Sequence, residues 1–369
     1  MMTSSTAQPF PARLTAGANH IRSGRILDFT FRPSADETVP ALARRIGSTL
    51  RDHAAHPAHL LVYGDNRAAA PLTEALVRAL GGETGPVTWV EGAGCAGEPV
   101  AGVQLHAFTG EIEYLKSGNR TTGAVFTADG ARQCLLGGLS PANGNLSRKD
   151  QTAHTLESLG AVLATAGFEL ADLVRTWFFL DNILEWYDDF NRVRTGIYSG
   201  VRFHTGSLPA STGVGARNPG GTALALAAWA WQPLALAAQA REVASPLQCP
   251  APAYGSSFAR AMELSTGNSR RLFISGTASI APGGATLWTG DLAKQVKLTM
   301  DVVQAILQSR SLDWSDLARA TAYFRHASDA PGFARWLADS PLAALPVICC
   351  QCDVCRDDLL FEIEAEAVR

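Results

Sequence analysis

The sequence predicts an α+β protein built from two tandem copies of one unit, and three observations carry that reading. First, one order of features occurs twice in the 369 residues. RQCLLGGLSP (132–141), QTAHTLESLGAVLATAGFELADLVRTWFFLDN (151–182) and PASTGVGARNPGGTALALAAWA (209–230) are answered by RRLFISGTASI (270–280), QVKLTMDVVQAILQSRSLDWSDLARATAYFRH (295–326) and PVICCQCDVCRDDLLFEIEAEA (346–367). Pairing Gly138 with Gly276, Gln151 with Gln295 and Asp172 with Asp316 gives offsets of 138, 144 and 144, and Pro209 with Pro346 gives 137. Such small changes are loop-length changes, the mark of a tandem duplication. Second, Val296, Leu298, Met300, Val302, Val303, Ile306 and Leu307 recur at helical spacing,. Third, FEIEAEA alternates apolar and acidic residues with the period of a strand,.

Taken in chain order, residues 1 to about 20 read as a flexible tail without the apolar segment of a secretory signal,. HLLVYGDN, PLTEALVRAL and VTWVEG, from His59 to Gly92, form a strand–helix–strand piece assigned to the first domain,. Each copy then reads strand, loop, amphipathic helix, strand, helix, strand, strand. The long helix covers one face of an antiparallel sheet. Thr222 to Ala240 is apolar but interrupted by Gln232 and Pro233, so a core strand followed by a loop is expected there rather than a membrane span,. Ala318 to Phe324 is the strand after the second long helix. The expected domains are 21–240, including the extra piece, and 250–369.

A net charge of −3 offers no basic field for nucleic acid,. Seven cysteines without an export signal fit reduced thiols in the cytoplasm,.

Four of those cysteines, Cys349, Cys350, Cys352 and Cys355, fall within seven residues and raise the question of a metal,. On a strand over 347–354, Cys350 and Cys352 face one way and Cys349 the other, so one ion cannot collect all four. Cys349, Cys350 and Cys352 are therefore expected to fill core space. Cys355 stands at the strand's end, beside the turn Arg356-Asp357-Asp358, where a pocket can lie. His53, His56 and His59 are broken up by Pro57 and expected on the surface,. No metal and no cofactor are expected.

Glu362, Glu364 and Glu366 share one face of the last strand,. Solvent exposure is the ordinary fate of any one of them. The corresponding strand of the first copy, TALALAAWA, carries no acid, so the fold itself does not require a carboxylate there, and at least one of the three is assigned to chemistry.

An SG near the first strand, a helix, a D-[IL]-[VA]-[RK]-x-T-x-[FY] strand and a closing EIEAxA strand resemble the YjgF/Rid fold, related to the chorismate mutase-like fold. Two such units in a chain of this length, STGVGARNPGG closing the first, and a cysteine seven residues before the last EIE resemble the chorismatase family over roughly residues 110 to 369. The resemblance implies that Glu362, the first glutamate of EIEA, reaches the ligand pocket. The arginine of the P-x-R segment that grips substrate in Rid imine deaminases is absent, because Pro346-Val347-Ile348 and Pro209-Ala210-Ser211 stand there. Imine deamination loses its anchor accordingly.

What the resemblance implies is conversion of chorismate to 3-hydroxybenzoate and pyruvate. A buried Glu362 would protonate the enolpyruvyl ether, and Arg217 and Arg260 would hold carboxylates. Gly267 and Gly276 would make room as pocket backbone. Cys355, a cysteine rather than alanine seven residues before the acid, marks the hydroxybenzoate-forming branch. The alternatives are hydrolysis to a dihydroxycyclohexadiene carboxylate, mixed 3- and 4-hydroxybenzoate formation, and a Rid-like binder of small metabolites without catalysis. The expected partner is a small molecule, with no nucleic acid and no membrane, and two fused copies are compatible with a monomer.

Overall fold

The computed structural model describes residues 17–34, 36–267, 269–340, 342 and 344–369. The tail expected over 1–20 lies outside the described residues as far as residue 16, and the chain from Gly17 is already a strand. The region expected as one domain over 21–240 folds as two units, so the chain holds three units rather than two.

The first unit contains β1 (Gly17–Ser23), β2 (Ile26–Arg32), α1 (Val39–Asp52), β3 (His56–Gly64), α2 (Ala69–Leu80), β4 (Val87–Val90), β5 (Ala93–Gly94) and β6 (Val100–Phe108). The second contains β7 (Glu113–Ser117), β8 (Arg120–Ala128), β9 (Ala131–Leu139), α3 (Arg148–Thr165), β10 (Leu173–Leu180), α4 (Ile183–Tyr198), β11 (Ala210–Gly215) and β12 (Leu224–Pro233). The third contains β13 (Gln239–Val243), β14 (Ala261–Ser265), β15 (Arg270–Ala278), α5 (Leu292–Ser309), β16 (Leu317–Phe324), α6 (Ala330–Ala338), β17 (Val347–Gln351) and β18 (Phe361–Val368).

One strand order recurs in all three sheets: β4-β3-β6-β2-β1, β11-β10-β12-β9-β8 and β17-β16-β18-β15-β14. The first strand–helix–strand piece is thus not an appendage but the middle of a third copy. It escaped recognition because it shares the alternation and topology of the other two but none of their side-chain motifs.

Residues paired in the two sequence repeats do the same work. Gln151, at the start of α3, donates to the carbonyls of Gly144 and Leu146 and accepts from the N–H of Ala223. Gln295, at the start of α5, donates to the carbonyl of Asp358 and accepts from the N–H of Leu360. Each glutamine ties the long helix to the last strand of its unit. Asp172 and Asp316 accept from the N–H of Glu169 and Asp313, both at 2.8 Å, and close the turn that launches β10 and β16,.

Helices clad the outside of each sheet, and the inner faces meet in one apolar cluster that includes Tyr63, Trp177, Trp229, Phe273 and Tyr323. That alternation is why the strands read as nearly continuous apolar runs. The apolar run at 222–240 is β12, buried as a core strand from Leu224 to Trp231. Among the described residues no helix is long and apolar enough to cross a membrane.

A buried ionic layer crosses this inner core. Arg271 binds Asp28 (2.7 Å) and Glu366 (2.9 Å), Arg319 lies 3.1 Å from Glu366, and Arg175 lies 2.6 Å from Glu364. His106 joins it through Asp28 at 2.7 Å. Asp28, His106 and Glu366 are also the one cluster among the described residues close enough to ligate a metal, but Arg271 and Arg319 already hold its carboxylates. Contrary to the surface placement expected for the three histidines, His59 is buried, with Nε2 2.9 Å from Thr88 Oγ1. It sits on a strand, not a helix, so Pro57 does not turn it outward. Burial, then the neighbouring His106 and Arg319, hold the His59 imidazole well below its ordinary pKa,.

Three units create three inter-unit clefts. Phe179 pairs with Ala225, Tyr323 with Glu362 and Tyr63 with Gly102, so Ala225, Glu362 and Gly102 hold equivalent places. Between the third and first units Gly102 faces Ile348, whose Cδ1 would lie 2.6 Å from a Cβ at position 102, and the space is filled. Only the cleft between the second and third units is furnished with the acid.

Candidate active site

The edge strand β11 passes beside β15, held by the Ser211 N–H donating to Ser275 Oγ (2.9 Å) and the Gly276 N–H donating to Thr212 Oγ1 (3.0 Å). The groove beside this junction is lined by Glu362, Cys355, Arg260 and Gly276, which the sequence proposed, and by Tyr187, Arg194, Ser211, Tyr254, Phe258 and Arg356, which it did not. It holds about 50 Å³ in this conformation, below the roughly 300 Å³ of typical small-ligand pockets, so it must open to admit one,.

Glu362 points from β18 into the groove and is 4% exposed. Burial, reinforced by the charge of Glu364, pushes its carboxyl up to about 8, against the opposing pull of Arg175 and Arg260,. None of the hydrogen bonds among the described residues reaches its oxygens. A carboxylic acid so placed keeps its proton near neutrality and can give it up, the requirement for a general acid. Gly276 makes room as expected, but for the acid itself: a Cβ there would collide with Glu362 Oε1.

Three arginines ring the acid, and none pairs with a carboxylate among the described residues. Arg260 donates from Nε to the carbonyl of Cys249 (2.9 Å) and lies over the rings of Tyr254 and Phe258, leaving Nη2 buried without a partner. Arg194, on α4, donates to Asn191 Oδ1 (2.7 Å) and stacks over Phe190, with Nε unpartnered. Arg356 donates to the carbonyl of Gly284 (2.8 Å). Buried donors without acceptors are costly, so the pair of unsatisfied guanidinium nitrogens marks a place for an anion.

Cys355 is half-buried and packs against Val354 and Leu359. Burial first, then the nearby Glu362, push its thiol up to about 12, so at neutral pH it is an uncharged, weakly polar group rather than a thiolate,. Cys350 and Cys352 sit in the inner core with sulfurs 3.9 Å apart, and Cys349 packs against the helix side.

Two proposed residues lie elsewhere. Arg217 follows the end of β11 on the surface, 67% exposed, and its guanidinium pairs with Glu91. The strand has ended at Gly215, so the chain turns Arg217 away from the groove. Gly267 is exposed at the β14–β15 hairpin, the opposite end of β15 from Gly276. Nor are the other two glutamates solvent-exposed: Glu364 and Glu366 are each 2% exposed and bound into the ionic layer. Arg194 had one legible signal, an arginine among the apolar positions of an amphipathic helix. Tyr187 and Tyr254 had none.

The family model described as Endoribonuclease L-PSP matches residues 136–220, within the second unit. A 3-hydroxybenzoate synthase of Streptomyces hygroscopicus is 27% identical over 269 residues, 66% of this chain and 75% of that protein. A chorismatase of Streptomyces rapamycinicus is 29% identical over 234 residues, 58% of this chain and 68% of its own length. A crystal structure of a chorismatase superposes with a TM-score of 0.65 at 20% identity, over 94% of this chain and 99% of that one. The chain is similar in sequence to chorismatases and shares their fold. The structural match spans all three units, so the first unit, which the family model leaves out, is part of the chorismatase fold rather than an addition to a two-copy Rid-like protein.

Proposed function

We propose that this chain converts chorismate to 3-hydroxybenzoate and pyruvate, with Glu362 as the acid that protonates the enolpyruvyl methylene. The observation that carries the reading is a single protonatable carboxyl, raised to about 8, inside a groove whose arginines have unpartnered buried donors. The names of the related proteins support the substrate. Chorismate brings two carboxylates and an enol ether. Arg194, Arg260 and Arg356 would take the carboxylates, and Glu362 would deliver the proton. Protonation creates an oxocarbenium-like carbon on the side chain, the ether bond to the ring breaks, and pyruvate leaves with the ether oxygen. Chorismate and the two products are isomeric as a sum, so no water is consumed. The hydroxyl oxygen on the neighbouring ring carbon closes onto the carbon the ether has vacated, losing its proton and forming an epoxide. The epoxide reopens at its original C–O bond, and the ring hydrogen on the newly oxygenated carbon leaves as that oxygen is protonated, so the ring aromatises with its hydroxyl at position 3 and loses one proton for the one Glu362 gives.

Cys355 supports the hydroxybenzoate branch: an uncharged thiol at the groove keeps water from the reacting ring without supplying a nucleophile. Three units already close the groove within one chain, which supports a monomer, and seven free cysteines suit the cytoplasm,. Purified protein incubated with chorismate, with pyruvate followed enzymatically and ring products by chromatography, tests the reading. Pyruvate at the uncatalysed background overturns it, and pyruvate with only the diene diol reassigns the branch.

A further inference from the structure

Glu362 has a second carboxylate as its neighbour on the same face of β18, and one buried guanidinium stands between them and β10. Arg175 Nη2 donates to Glu364 Oε2 (2.6 Å) and to Thr212 Oγ1 (2.6 Å), while its Nε and Nη1 are buried without partners. Thr212 in turn accepts the N–H of Gly276, the residue that walls Glu362. We propose that Glu364 and Arg175 are positioning residues for the acid: the Glu364 carboxylate holds the Arg175 guanidinium to itself, so that Glu362 gains no ion pair and stays a proton donor. This inference rests on the reading of Glu362 as a general acid.

The comparison between clefts supports it. In the cleft between the first and second units the same triangle is present without charge: Thr88 Oγ1 lies 2.9 Å from His59 Nε2 and accepts the Gly138 N–H at 2.8 Å. There, Ala225 and Ala227 stand where Glu362 and Glu364 stand. The threonine–glycine junction therefore needs no arginine and no second carboxylate, and the pair accompanies the acid alone. The charged and titratable groups that face Glu362 are Glu364 on its own strand, Arg175 from β10, Tyr323 from β16, Tyr187 and Arg194 from α4, and Tyr254, Arg260, Cys355 and Arg356 from the third unit's loops and strand ends. Of these, Arg175 is the cation already committed to a carboxylate two residues away, and it is 1% exposed, so water cannot substitute for a lost partner,. Freed from Glu364, it would pair with Glu362 and fix that carboxyl as an anion.

Infrared difference titration of the full chain, with the protonated-carboxyl band assigned by its loss in Glu362→Gln, tests this without substrate. Glu364→Gln is expected to lower the midpoint of Glu362 by about one pH unit or more. Glu364→Gln combined with Arg175→Met, which removes the cation too, is expected to restore it to the wild-type value or above. An unchanged midpoint in folded Glu364→Gln, or a double variant that titrates like the single one, overturns the proposal. Should Glu364→Gln fail to fold, Arg175→Met alone decides: a raised midpoint upholds the proposal and an unchanged or lowered one overturns it. In a protein active on chorismate, the high-pH limb of kcat/KM moves with the midpoint. A shifted midpoint in a protein inert toward chorismate leaves this inference standing and overturns the proposed function instead.

Discussion

Gly276 and Glu362 occupy neighbouring strands so tightly that a methyl group on residue 276 would overlap the Glu362 carboxylate. Gly276→Ala must push the acid or β15 aside while leaving its chemistry intact. Displacing a reacting group by about 1 Å costs on the order of 100-fold. We expect kcat on chorismate to fall by roughly that factor, with circular dichroism unchanged; near-native kcat would remove Gly276 from the site.

The ionisation of Glu362 sets a pH window with a definite sign. A carboxyl raised from its ordinary value to about 8 is active while protonated, so kcat/KM should be flat below that pH and fall as pH rises through about 8,. By linkage, the protonated group's contribution to folding is fully present below the ordinary carboxylate range and lost as pH climbs through about 8. Glu362→Gln should therefore be inactive, yet its Tm should gain on that of the wild type between pH 5 and pH 9. A thermal scan across pH that shows no such gain contradicts the buried, uncharged acid.

Arginine substitutions separate the structure's assignment from the sequence's. Arg194→Ala and Arg260→Ala each remove a buried cation and should raise KM for chorismate at least about tenfold, as expected for a charged hydrogen bond. Arg217→Ala removes an exposed partner of Glu91 and should change kcat/KM by less than about twofold,. Steady-state kinetics on the three variants in parallel gives the answer, and the reverse ranking would return Arg217 to the site.

Cys355→Ala opens room for water beside the ring. The yield of dihydroxycyclohexadiene carboxylate relative to 3-hydroxybenzoate should rise, while pyruvate release stays within about threefold of the wild type. Product ratios by chromatography check this; an unchanged ratio would strip Cys355 of its role in branch choice without touching that of Glu362.

The ionic layer between the sheets makes stability depend on acid pH. Asp28 and Glu366 are both held below the ordinary carboxylate range, in the face of burial, by Arg271 and Arg319 among their neighbours. Their contribution is present above the unfolded carboxylate pKa and lost as pH falls below about 4. Arg271→Met leaves two buried carboxylates with fewer partners and should cost about 3–5 kcal/mol at pH 7, read from urea unfolding. A loss under about 1 kcal/mol would mean that Arg319 and His106 suffice.

Much of the second and third units was legible because their helices and strands are periodic and their capping residues repeat. Gln151 and Gln295 were paired by sequence alone and make equivalent bonds. The first unit was not legible as a copy: its strand equivalent to β10 and β16 carries His59 where Arg175 and Arg319 stand, and its strand equivalent to β18 carries Gly102 where Glu362 stands.

By itself the sequence determined the α+β class, the repeat, the one face shared by Glu362, Glu364 and Glu366, and the seven-residue interval from Cys355 to Glu362. These depend on local periodicity, which the chain carries in one dimension. Which cations meet the acid was decided only in the tertiary structure. Arg194 comes from α4, Arg260 from the residue before β14 and Arg356 from the loop before β18, whereas Arg217 leaves on a turn that no spacing reveals. Encounters between distant segments depend on how the three sheets pack their inner faces together, and that packing also withdraws water from Glu362 and raises its carboxyl to about 8.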